Sequence, residues 1–194
     1  MQVLRKDELP AAFAKLGFTV STAASWYGYR IDYERSIKRR LADLSIRPVL
    51  HSALLPTFLL ELVRWVSQGS SRLLWIEHYK SGFLSFEMSF HSLLGRIENI
   101  SSLNESPGFY FEPIDVQEAF NQSLEAEPSA ELEKMLSLLC VVLLAEWDAK
   151  LLSLDGCDHV EFWEGNVVFY SDSLEKIKLA REVAERFGLP IGKK

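Results

Sequence analysis

His78, Ser85 and Glu87 carry the side chains of a base, a nucleophile and an orienting carboxylate. Residues 73–80 and 83–90 alternate in polarity and flank Ser81-Gly82, a hairpin signal. In that register His78 falls opposite Ser85, with Glu87 two residues along the same face. Such a trio resembles the hydrolase arrangement of nucleophile, base and orienter. A flat strand, however, gives the serine no sharp turn and supplies no oxyanion donors. Polar residues on the outer side of a half-buried hairpin are the simpler reading.

Cys157, His159 and Glu161 form a second group. Alternate residues of a strand point the same way, so the three could converge on a metal ion or form a thiol–imidazole pair. A zinc site usually needs a fourth ligand, and His51, His78 and His91 show no paired spacing. Cys140 lies in an apolar run and reads as a small core residue. The chain has no Gly-x-Gly-x-x-Gly, Gly-Lys-Ser/Thr, His-Glu-x-x-His, Gly-x-Ser-x-Gly or Cys-x-x-Cys motif. These absences favour a protein that is not an enzyme, with no cofactor and no bound metal.

Charge is more informative. The net charge is −6, unevenly spread. Residues 1–47 hold nine Lys/Arg against five Asp/Glu. Arg35, Lys38, Arg39 and Arg40, with Trp26, Tyr27 and Tyr29 upstream, could in principle contact nucleic acid. Asp32, Glu34 and Asp43 dilute that face, and a solvated helix surface is expected instead. Residues 98–134 hold nine carboxylates and one cation, Lys134. Such a field repels nucleic acid and attracts cationic proteins. The expected partner-binding residues are Glu112, Asp115, Glu118 and Glu125, with Trp163 and Tyr170 as aromatic anchors.

Several elements would position these groups. The spacing predicts short helices over 7–16 and 32–44, and a helix over 50–68 with a break or fresh start at Pro56. Residues 18–20 and 109–111 read as brief strands, and 114–124 as a helix. The stretch 129–154 reads as one long helix, with Leu132, Met135, Leu136, Leu139, Leu143, Trp147 and Leu151 at helical spacing. No polar residue falls between Leu138 and Ala145, so this helix is expected at the centre of the core. The run is far shorter than the roughly 20 residues of a membrane span. A second hairpin is predicted over 159–163 and 167–171 around Gly165-Asn166, with Val160, Phe162, Val167 and Phe169 inward. Asp172 and Glu175 suggest a capping box for a last helix, closed by Gly188 and Pro190.

The expected architecture is a single α+β domain, with a possible subdivision near residues 101–108. Its helices pack around the buried helix and against a mainly antiparallel sheet built from two hairpins. Arg5 and Lys6 are followed by Asp7, Glu8 and Pro10 rather than an apolar run, so a soluble cytoplasmic protein is expected. In size, acidity and aromatic richness the chain resembles bacterial immunity proteins that neutralise toxic enzymes. The leading expectation is a non-catalytic acidic module that binds a protein with a basic surface, such as a toxin, and neither nucleic acid nor membrane. The alternatives are a small hydrolase or metal-dependent enzyme built on His78/Ser85/Glu87 or Cys157/His159/Glu161, and a secretion chaperone.

Overall fold

The computed structural model describes residues 2–4, 8–15, 24–25, 28–29, 42–48, 52–66, 72–78, 108–111, 130–153 and 158–192. Its strands are β1 (Gln2–Leu4), β2 (Ala24–Ser25), β3 (Gly28–Tyr29), β4 (Ala42–Ile46), β5 (Arg72–His78), β6 (Gly108–Phe111), β7 (Asp148–Ser153), β8 (His159–Trp163) and β9 (Asn166–Ser171). Its α-helices are α1 (Leu9–Lys15), α2 (Leu55–Val66), α3 (Ala130–Leu144) and α4 (Leu174–Arg186). The fold is α+β. Seven strands form one antiparallel sheet in the order β1-β6-β5-β7-β8-β9-β4, and β2 pairs with β3 separately. The predicted strand 18–20, helix 114–124 and strand 83–90 lie outside the described residues.

The sheet has a layer on each side. Leu74, Ile76, Phe109, Leu151, Val160 and Phe169 on one face join the main core with α2, α3 and α4. Leu73, Trp75 and Leu152 on the other face pack with Leu4 and with Leu9 and Phe13 of α1. Phe13 meets Trp75 edge to face, centroids 5.4 Å apart. Gly108 permits the close approach: a Cβ there would stand 2.5 Å from Leu9 Cδ2. Consequently Leu73, Leu74, Trp75 and Ile76 are all buried, as an unbroken apolar run in a two-sided strand must be.

The neighbours of β5 differ from the hairpin expected in the sequence. Over Arg72–Trp75 one edge pairs with β6 and the other with β7. Both edges are therefore taken where residues 88–90 would have paired in a two-residue-turn hairpin.

Within the helical layer, α2 packs against both α3 and α4. Eight of its twelve residues are buried. Pro56 sits in its first turn, where a missing N–H costs nothing. Trp65 ties α2 to α4: its indole Nε1 donates to the Lys176 carbonyl at 2.7 Å, and its ring meets Phe169 edge to face at 4.9 Å. The expected helix over 32–44 is corrected at its end, because Ala42–Ile46 is the strand β4, paired to β9.

The helix expected over 129–154 is also corrected. It stops at Leu144, and Trp147, Leu151 and Leu152 belong to a sharp turn and to β7. The stop is a Schellman motif: Trp147 N donates to Val142 O at 2.9 Å and Glu146 N to Leu143 O at 3.3 Å. Helix α4 ends the same way, with Leu189 N to Ala184 O at 2.9 Å and Gly188 N to Glu185 O at 3.0 Å. The left-handed residue is Gly188 (φ 63°) in α4 but Glu146 (φ 52°) in α3. A Cβ in that conformation is strained, so the usual glycine stop signal is missing. At the other end of α4 the cap is Ser173, whose hydroxyl accepts from Lys176 N at 3.4 Å, one residue after the predicted Asp172. Replacing Glu146 by Gly is expected to raise stability by roughly 0.5–1 kcal/mol, measured by denaturant unfolding. A lower midpoint would show that the side chain contributes more than the backbone conformation costs.

Candidate functional site

The second hairpin forms as the sequence indicates. Strand β8 pairs with β9 from His159↔Tyr170 to Trp163↔Asn166. Val160, Phe162, Val167 and Phe169 are buried on the inner face. The turn is shifted by one residue, to Glu164-Gly165, with φ of 49° and 75°. Two positive φ angles are what a type I′ turn requires. Asn166 Nδ2 braces it, donating to Trp163 O at 3.3 Å and Glu164 O at 3.4 Å.

Alternation puts His159, Glu161 and Trp163 on the outer face of β8, with Val168 and Tyr170 beside them on β9. The register adds Lys150 opposite Glu161, and Asp43 opposite Tyr170. Glu161 is the hub. Its Oε1 lies 3.1 Å from Lys150 Nζ and 3.8 Å from His159 Nε2. The Tyr170 hydroxyl lies within the electrostatic reach of the same carboxylate. The Tyr170 ring stacks on His159 with centroids 4.8 Å apart and planes 11° from parallel. Lys150 also stands 5.9 Å from the centroid of the Trp75 ring.

Burial, then the nearby Glu161 and Asp43 carboxylates, push the Tyr170 hydroxyl up to about 12 from an ordinary 10.0. Ionising it would bring a third negative charge into a half-buried patch. Burial likewise raises the Cys140 thiol, which leaves it a poor nucleophile at neutral pH. On the inner face, burial alone lowers the fully buried Arg72 from 12.5 to about 10.

This network can hold a shape and is poorly suited to hold a metal. Its carboxylate already pairs with a lysine ammonium 3.1 Å away, which opposes any second cation there. Among the described residues no three His, Cys, Asp or Glu side chains converge as metal ligands. Cys157, Ser85, Glu87 and the expected partner-binding residues Glu112, Asp115, Glu118 and Glu125 lie outside the described residues. The backbone of His78 pairs with Asp148 at the end of β5.

Trp163 differs from the network below it: 53% of its surface is open. The other described tryptophans, Trp65, Trp75 and Trp147, are buried. Around it the β8–β9 turn meets the α3–β7 turn. Asp148 Oδ1 accepts from Glu164 N at 3.2 Å. The Glu146 carboxylate lies over Gly165, 3.3 Å from where a Cβ would be. Lys150, Glu146 and Asp148 are not legible as site residues in the sequence, and Asp43 reads there only as a carboxylate diluting the basic face, because long-range pairing and turn geometry bring them to these places. Comparison with family models, curated protein sequences and solved structures returned no match.

The Tyr170 shift has a sign. A phenol held protonated in the folded chain, and ionised near 10 when unfolded, stabilises below pH 10; this contribution is lost as pH rises towards 12. Absorbance titration at 295 nm is expected to show a late-titrating tyrosine that disappears in Tyr170→Phe and moves to lower pH in Glu161→Gln. Titration of all tyrosines near 10 would contradict the network.

Proposed function

We propose that the protein is a non-catalytic module that binds a protein partner with a basic surface. Neutralisation of a toxic enzyme, as by bacterial immunity proteins, is the fuller form of this reading. The main structural support is the contrast on the outer face of β8 and β9. The side chains with catalytic potential, His159 and Glu161, are engaged with Lys150 and Tyr170. The large aromatic group at the tip, Trp163, faces solvent.

Charge supplies the second support. Nine carboxylates and one cation in residues 98–134 give long-range attraction for a cationic protein and speed its encounter. Glu112, Asp115, Glu118 and Glu125 steer in this proposal, and Trp163 fixes the partner by burial. Tyr170, half-buried and stacked on His159, shapes the surface more than it reaches out. A partner so bound would have its own active site covered.

The test is capture from lysate at low salt, comparing wild type with a variant carrying Glu112→Lys, Asp115→Lys, Glu118→Lys and Glu125→Lys. A basic protein retained by the wild type and lost by the variant is expected. Equal recovery of the same protein by both would overturn the proposal.

A further inference from the structure

We propose that the indole of Trp163, with Glu164 beside it and Asp148 and Glu146 behind it, receives an arginine side chain presented by the partner. This rests on the protein-binding reading above and names the chemistry of the contact.

Three observations meet at this end of the sheet. The first is exposure: Trp163 is 53% open, and Leu144 at the end of α3 is 63% open. An exposed indole is a poor surface to leave in water and a good one for burial in an interface. The second is charge. Asp148, buried and accepting from Glu164 N, adds its charge from the β7 position across from Trp163, one step beyond Ala149↔Phe162 in the register. Glu164 follows Trp163 directly, and Glu146 lies over Gly165 in the same turn. Lys150, the nearest cation along β7, is held by Glu161 on the next row. The third is backbone. Among the described residues, Glu146 and Glu164 are the non-glycine residues with positive φ. Each turn therefore carries a glutamate where glycine or asparagine fits more easily.

A flat aromatic face edged by carboxylates selects for a planar, weakly hydrated cation. Guanidinium stacks on indole while its N–H groups reach carboxylate oxygens, whereas an ammonium is held by its hydration shell. The partner is therefore expected to contribute arginine rather than lysine.

The test is an NMR titration of the full chain at low ionic strength with a blocked hexapeptide alternating Gly and Arg, and with its Gly–Lys counterpart. The Trp163 indole N–H and the amides of Glu146 and Glu164 to Asn166 are expected to shift with the arginine peptide. Affinity should fall about ten-fold in Trp163→Ala and about three-fold in Glu164→Gln. The lysine peptide should bind several-fold more weakly. Peptide binding that moves only other amides and survives Trp163→Ala would overturn this site while leaving an acidic binding module in place. Equal affinity for both peptides would overturn the arginine assignment. Failure of both peptides to bind would overturn the site, with the lysate capture still deciding the broader reading.

Discussion

Strands β5 and β7 have a strand on each edge and apolar side chains on each face. Leu73, Leu74, Leu151 and Leu152 are all fully buried there. Backbone groups in such a place must be satisfied by the ladder, because no water can replace it. The register between the two strands, from Arg72↔Ser153 to Ile76↔Ala149, is thus tightly constrained. A one-residue slip would exchange the groups facing α1 for those facing α2, α3 and α4.

That register sets the outer surface two strands away. Because Lys150 faces out on β7, it meets Glu161 on β8, and burial, with the Glu161 carboxylate, in turn pushes up the Tyr170 hydroxyl on β9. The charged groups of this face, Lys150 and Glu161, pair with one another at the middle of the strands. At the strand ends they do not reach far enough to cover Trp163. A closed network next to an exposed indole is the arrangement on which the proposed binding role rests.

Much of this was legible in the chain. Leu55–Val66, His159–Trp163, Asn166–Ser171 and Leu174–Arg186 follow from periodicity, turn residues and capping signals, because those segments obey local rules. Elsewhere local rules were overridden. The end of α3 was hidden because Glu146 holds the left-handed position that glycine fills in α4, while Trp147 and Leu151 happen to continue the helical spacing. The identity of the β5 neighbours was hidden because pairing with β6 and β7 is a long-range choice, and a local turn signal at Ser81-Gly82 outweighed it. For the same reason Trp163 and Tyr170 could be named from alternation alone, whereas Lys150 and Asp148 could not.

Native-state amide exchange reads the central constraint most directly. The amides of Leu73 to Ile76 and Ala149 to Leu152 are expected to exchange slowest, only through global unfolding, with β1 and β4 at the sheet edges exchanging faster. Exchange in β5 as rapid as in β1 would contradict a sheet centred on β5 and β7, and with it the placement of Lys150, Glu161 and Trp163.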